Sequence, residues 1–285
     1  MNEHVRTFTL GQAQVSIINL GDITLPLAGY MTIPEEILKT RDDLYGLQDQ
    51  QIAPIQNTLL QLPECNILID ASHYGLASTD PDYRIEGYTP PPSLVEQLNA
   101  LGVSAESVDH VIITHRHWDH FNGTTYEVDG KFVPQFPNAT HYLSAADWAK
   151  AETAMSGNAD AIEHHTLKVL HEAGILTLVE DDPFDLVNGI QIISASGETV
   201  GHQVVKVKSD DKTLYVLGDL YHHPAEFLNI DWHVSWANPE RTHISRKKLL
   251  PNILSENSLL IATHIPEVGR LQQQKDRYFW NVIDL

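Results

Sequence analysis

Three histidines and an aspartate crowd the segment Thr114-His115-Arg116-His117-Trp118-Asp119-His120. Imidazole nitrogens and a carboxylate oxygen are the donor atoms that zinc and similar divalent ions take. In extended backbone, residues two apart share a face, so His115 and His117 point together. Asp119 and His120 follow the turn and can face a second ion. A lone His-x-His is often only a solvated pair, but this set directly follows an apolar strand and reads as ligands. Two other strand ends add donors: Asp219 comes just after residues 213–217 (TLYVL), and His264 just after residues 258–263 (SLLIAT). Alone, a strand-end aspartate is ordinarily a turn former and a strand-end histidine is satisfied locally; beside the first motif both read as ligands. Asp219, with two carboxylate oxygens, suits a bridge between ions.

Such side chains converge only if strands deliver them to one edge. Residues 7–19 alternate polar and apolar with period two and read as one or two strands. Residues 66–70 (NILID), 110–114 (HVIIT), 139–144, 190–195 (IQIISA), 203–208, 213–217 and 258–263 are further strands. Helical spacing covers residues 92–101, with Ser93 as a cap and Gly102 as a stop, and also 145–155 and 245–254. This alternation predicts an α/β layered protein with its site at the C-terminal ends of strands. No linker divides the chain, so one domain over 1–285 is expected. The stretch 28–63, with Pro34, Glu35, Glu36, Arg41, Asp42 and Asp43, reads as irregular apart from a short helix after Pro34. It would serve as a flap over the site or as a dimerisation segment.

Composition narrows the partners. The 285 residues carry 18 Lys+Arg against 38 Asp+Glu, a formal charge of −20. That field disfavours nucleic acid and anionic membrane, which need clustered cations. One cysteine, Cys65, excludes a disulfide scaffold and a cysteine-built zinc site. The N-terminus lacks the apolar core of a signal peptide, and no stretch nears 18 consecutive apolar residues. A cytoplasmic protein is expected. No Gly-x-Ser-x-Gly elbow supports a serine nucleophile, and no Gly-rich phosphate loop supports a nucleotide.

The motif His-x-His-x-Asp-His at 115–120 resembles that of the metallo-β-lactamase-fold hydrolases, and the chain looks most like their branch of quorum-quenching lactonases and methyl-parathion-hydrolase-like enzymes. Residues 66–70 (NILID), 136–147 (FPNATHYLSAAD), 218–224 (GDLYHHP), 245–250 (SRKKLL) and 262–269 (ATHIPEVG) carry the resemblance with it. It implies a four-layer αββα sandwich, with mixed sheets, helices outside and a two-metal site at the sheet edge. It also implies that His115 and His117 hold one ion, that Asp119, His120 and His264 hold the other, and that Asp219 bridges.

One position departs from the family pattern. Where the family carries Thr-Pro-Gly-His-Thr-x-Gly-His, with the first histidine a ligand, this chain has Ala195-Ser196-Gly197-Glu198-Thr199-Val200-Gly201-His202. Gly197, Thr199, Gly201 and His202 keep the register, so Glu198 stands in the ligand's place. Three readings stand: Glu198 ligates through oxygen, His202 takes over after a loop shift, or the first ion is held by fewer groups or lost. In the usual site, Asp119, Asp219 and a hydroxide leave two divalent ions one net positive charge; Glu198 would cancel it. Two divalent ions are expected, zinc first. Manganese or iron gains ground because an extra anionic oxygen hardens the first site. Glu198→His is expected to bind zinc more tightly there, read by competition with a chromogenic chelator; unchanged affinity would mean the register is wrong.

The mechanism expected from this set is ester hydrolysis, of a lactone first, by a hydroxide held between the ions. Asp119, His120 and Asp219 are the expected catalytic residues, with Asp119 steering the nucleophile's proton. Trp118, Phe121, Tyr221 and His222 flank the ligands and are candidates for the substrate wall, although such aromatics equally often pack in a core. Asp70 is either an acceptor for a ligand imidazole or a turn residue. His164, His165, His171, His233 and His243 fit no ligand position. A small ester or lactone is the expected partner, and a homodimer stays open. The rival readings are a mononuclear-iron redox or persulfide-handling enzyme and a catalytically weakened metal-binding module.

Overall fold

A computed structural model describes residues 4–40, 44, 46–47, 49–275 and 277–284. Arg41, Asp42 and Asp43 of the expected flap lie outside the described residues. Among the described residues the expected sandwich is present as two seven-stranded sheets with helices on their outer faces. The first sheet takes β1 (Val5–Leu10), β2 (Ala13–Leu25), β3 (Gln51–Gln61), β4 (Asn66–Ile69) and β5 (His110–Ile112) in that order. A short hairpin of β6 (Thr125–Val128) and β7 (Lys131–Pro134) stands apart, and β8 (Thr140–Ser144) and β9 (Leu176–Val179) complete the sheet. The second sheet runs in chain order through β10 (Phe184–Val187), β11 (Ile190–Ser194), β12 (Gln203–Ser209), β13 (Lys212–Val216), β14 (Leu259–Ala262), β15 (Ile265–Gln274) and β16 (Arg277–Val282).

Period-two patterning sorts the core into layers. Ile67 and Ile69 of β4 meet Val205 and Val207 of β12, and Leu214 and Val216 of β13, between the sheets. The alternate residue Leu68 packs outward with Leu98 and Val111, whereas Tyr215 and Leu217 pack outward with Leu249 and Ile253 of the helix Pro239–Ser255. Parallel pairing of β4, β5, β8 and β9, and of β13 with β14, requires crossovers over the outer faces. The helices Leu94–Ala100, Ala145–Gly157 and Pro239–Ser255 lie in three of the four, and the short helix Trp118–Phe121 with the β6–β7 hairpin lies in the one from β5 to β8. Ser93 caps the first through a capping box, as its sequence suggests.

The stretch 28–63 is not irregular throughout. Helices occupy Leu27–Tyr30 and Glu35–Thr40, the second just after Pro34 as expected, and β3 is a central strand. QIAPIQNTLLQ hides its strand character because both of its faces are buried, which erases the alternation. Pro54 adds a false break. It pairs opposite Asp22, next to a bulge in β2 between Asn19 and Asp22, where a ladder tolerates a missing N–H. The last helix begins at Pro239, earlier than its spacing suggests, because Asn238 caps it by accepting from the Arg241 N–H and Pro239 fits the first turn. Among the described residues no helix is long and apolar enough to cross a membrane.

His141 gives the fold an acid weakness. It is buried in β8, and burial lowers its imidazole from 6.5 to about 4. Above pH 6.5 neither the folded nor the unfolded chain is protonated there. As pH falls below 6.5 the unfolded chain takes up a proton that the folded one refuses, so stability drops until about pH 4. In metal-stripped protein the expected loss through His141 between pH 7 and 5 is on the order of 1–2 kcal/mol. His141→Phe should flatten that part of the urea-unfolding slope; identical slopes would remove His141 as the cause.

Candidate metal centre

The donors all sit where strands of both sheets end. His115 and His117 follow the end of β5, His117 with extended backbone, and the one-turn helix Trp118–Phe121 then swings Asp119 and His120 away from them. That change from period two to helical period splits one motif between two positions. Asp219 follows β13, His264 follows β14, and Glu198 lies in the loop after β11. Gly218, at φ 54°, turns the chain beside His202 and Thr114; a Cβ there would lie 2.8 Å from His202 Nε2.

Two clusters result, each with donor atoms close enough to share an ion: His115, His117, Glu198 and Asp219, and Asp119, His120 and His264. His115 Nε2 and His117 Nδ1 stand 2.9 Å apart, and His117 Nδ1 is 3.2 Å from Glu198 Oε1. In the second cluster His264 Nε2 lies 3.4 Å from Asp119 Oδ2, and His120 Nε2 lies 3.7 Å from Asp119 Oδ1. Asp219 Oδ2 joins them, 3.7 Å from His115 Nε2 and 3.3 Å from both His120 Nε2 and His264 Nε2. His120 Nε2 and Asp219 Oδ1 are buried without a hydrogen-bond partner among the described residues. Buried polar atoms ordinarily have partners. Orphaned donors converging from two sides fit a pair of divalent ions.

The ring orientations are fixed from behind. Asp70 Oδ2 is 2.8 Å from His120 Nδ1, while the same carboxylate accepts from the Thr114 N–H and hydroxyl. It does so from a left-handed turn, φ 61°, so both readings of Asp70 hold at once. His264 Nδ1 faces the Pro54 carbonyl at 2.9 Å, and Gln56 Nε2 binds the Ala262, Thr263 and Ile265 carbonyls around it. Each contact leaves Nε2 directed at the site. Buried Asp147 ties the motif loop to the Glu198 loop, accepting from the Arg116 N–H, the Thr199 hydroxyl and the Gly201 N–H.

The Glu198 loop keeps the expected register. Glu198 joins the first cluster, and His202 does not, because its Nε2 accepts from the Asp219 N–H at 3.0 Å. The Trp236 indole N–H donates to Glu198 Oε1 at 2.6 Å. Burial works against the charge of Glu198, but His222 and His117 outweigh it and hold the carboxyl well below its usual range. Asp219 is likewise held low by His264 and His120 against the cost of burial. Against burial, Asp219 and Asp119 keep His264 up at about 9, and Asp219, Asp70 and Asp119 keep His120 well above 6.5. Burial, reinforced by His120 and His117, keeps His115 neutral and ready to ligate.

A cavity of about 330 Å³ opens onto both clusters. Trp118 and His222 line it. Phe121 and Tyr221 do not, and their assignment to the substrate wall is corrected. Phe121 is fully buried in the core, three residues on from Trp118 and on the inward side of its short helix. Tyr221 is buried against Phe227 and under the Arg246 guanidinium, 4.2 Å from its ring centroid. The wall is completed by Ile23, Leu25, Tyr30, Tyr83 and Trp236, which no local signal marks. Tyr30, from the stretch 28–63, meets Trp236 edge-on at 5.2 Å at the cavity wall. His164, His165, His171, His233 and His243 belong to neither cluster.

A family model described as the metallo-β-lactamase superfamily matches residues 54–255. No curated protein matches the chain. Among solved structures, it is similar to AidC, a dizinc quorum-quenching lactonase solved with a product (20% identity, 99% of this chain and 98% of that one, TM-score 0.78). It is similar also to the hydrolase AbOPH of the β-lactamase superfamily (21%, 99% and 98%, TM-score 0.77). A third is a probable metal-dependent hydrolase from Staphylococcus aureus (17%, 98% and 99%, TM-score 0.77). At such identities the likeness is one of fold.

Proposed function

The chain belongs to the metallo-β-lactamase superfamily, whose members are generally metal-dependent hydrolases, and from that premise we propose that it hydrolyses uncharged ester-type bonds, lactones first among them. The observation that carries this reading is the cavity's make-up. Its lining sets aromatic and aliphatic side chains beside Asp119, Glu198 and Asp219, and no lysine or arginine lines it among the described residues. With both ions bound, the three carboxylates and a hydroxide would balance their charge, so an anionic substrate would find neither net positive charge nor a lysine or arginine to hold it, whereas a neutral ester needs neither. Glu198 sharpens this preference by removing the positive charge that a third imidazole would leave at the centre.

His115, His117, Glu198 and Asp219 would hold one ion and Asp119, His120 and His264 the other; when bound, the pair supplies Lewis acidity and an acidified water. The side chains do the rest. Trp118 and Tyr83, tilted at 5.6 Å between ring centroids, form one wall, and Tyr30 with Trp236 forms the facing one. Together with Ile23 and Leu25 they exclude water and orient an apolar acyl or ring substituent. Asp119 borders both the cavity and the second cluster, where its carboxylate can take the nucleophile's proton and pass it to the leaving alkoxide. The completeness of both clusters supports a paired centre over a single redox iron.

The test is a panel of acyl lactones, aryl esters and phosphotriesters, each paired with a carboxylate-bearing analogue of similar size, on protein loaded with zinc, manganese or cobalt. Neutral members should exceed their anionic partners at least ~10²-fold in kcat/KM. Faster turnover of the anionic partners, or oxygen consumption with one iron per chain and no hydrolysis, would overturn the reading.

A further inference from the structure

Glu198 leaves the first cluster with two imidazoles, but a third imidazole stands beside it. His222 is buried, and its Nε2 lies 3.6 Å from Glu198 Oε1 and 3.5 Å from Asp219 Oδ2. These separations fall within the 3.2–3.7 Å shown by the carboxylate–imidazole pairs already placed around the two ions. Donors sharing one ion at about 2.1 Å stand roughly 3.0–3.5 Å apart when adjacent. The His222 ring is nearly parallel to that of His264, 8° apart at 5.8 Å between centroids, and each turns its Nε2 to Asp219 Oδ2, at 3.5 and 3.3 Å.

We propose that His222 is a ligand of the first ion, supplying from a different loop the nitrogen that Glu198 replaces. The far side of the ring agrees. His222 Nδ1 is buried without a hydrogen-bond partner among the described residues, and the nearest carboxylate oxygen to it, Glu226 Oε1, is 3.9 Å away. Glu226 Oε1 also accepts from the His222 backbone N–H at 2.6 Å and the His223 N–H at 3.0 Å, which fixes the loop. A small ring shift brings Nδ1–H onto Glu226, as His120 Nδ1 lies on Asp70, and leaves Nε2 free to bind metal. Trp236 stands edge-on to His222 at 6.1 Å and holds Glu198 through its indole N–H, so a single side chain braces both. The first site then offers three nitrogens and two carboxylates, a set that keeps zinc affinity while tolerating a harder ion.

The inference rests on the paired-ion reading and fails separately from it. Metal-stripped protein and His222→Gln are titrated with zinc and with manganese against a competing chelator, and crystals of the zinc-loaded wild type are examined by anomalous diffraction. Expected are His222 Nε2 within about 2.3 Å of the ion beside His115 and His117, a zinc affinity at that site at least ~30-fold weaker in the variant, and a much smaller change for manganese. That shift in metal preference separates a ligand from a residue that only positions Glu198. An ion seated there with His222 Nε2 beyond 3 Å, and zinc affinity within threefold of wild type, would overturn this inference alone. No ion beside His115 and His117 would overturn both.

Discussion

Asp219→Ala is expected to lower kcat by roughly 10³-fold or more on whichever neutral ester the protein turns over best, with fewer than two ions retained after gel filtration. The reason is the place of one oxygen. Asp219 Oδ2 lies within 3.7 Å of an imidazole nitrogen from each of His115, His120, His222 and His264. No other carboxylate has ion pairs to both clusters among the described residues. Without it the clusters would lose the one carboxylate that faces both, and the imidazoles with Glu198 and Asp119 would hold a pair of divalent ions less tightly. The backbone should survive, because the Asp219 N–H bond to His202 and the Gly218 turn do not need the side chain. Metal content by mass spectrometry and kcat on the same preparation check this together. Two ions retained with more than a tenth of wild-type activity would show that Asp219 does not bridge.

How much of this was readable follows from how local each signal is. The ligand set of β5 was legible because four donors fall within residues 115–120 and follow an apolar strand. Glu198 was legible through its neighbours Gly197, Thr199, Gly201 and His202, which keep the loop in register although the ligand type changes. Residue type alone did not separate Trp118 from Phe121. Both are aromatic and three positions apart, and only packing decides that the first borders the cavity and the second fills the core. Tyr30, Tyr83 and Trp236 reach the cavity from distant segments, and nothing near them in the chain marks it. The Pro54 carbonyl was hidden twice, since backbone groups leave no trace in composition and proline argued against the strand that carries it. Arg246 is the sharpest case, because a buried guanidinium is the rarest outcome for its type.

Arg246→Ala is accordingly expected to be the most damaging change outside the ligands, destabilising the fold by about 3–5 kcal/mol in urea unfolding. From the helix Pro239–Ser255, Arg246 bonds the Leu220, Ile230 and Trp232 carbonyls and forms an ion pair with Glu226, which has no exposed surface. Truncation strands a buried carboxylate and three carbonyls at once, and none can turn to water. Arg246→Lys should recover little, since an ammonium cannot reproduce the planar fork that reaches carbonyls and carboxylate together. The double variant Arg246→Met with Glu226→Gln should recover more than half, because it removes the unpaired charge along with the pair. That result would locate the cost in desolvated charge rather than in lost volume. The same pair anchors the loop between Asp219 and Glu226, so even the stable double variant should bind the first ion more weakly. A single-variant loss under 1 kcal/mol would mean that the 219–226 loop is held by its apolar packing around Tyr221 and Phe227, and that the buried ion pair is incidental to both fold and site.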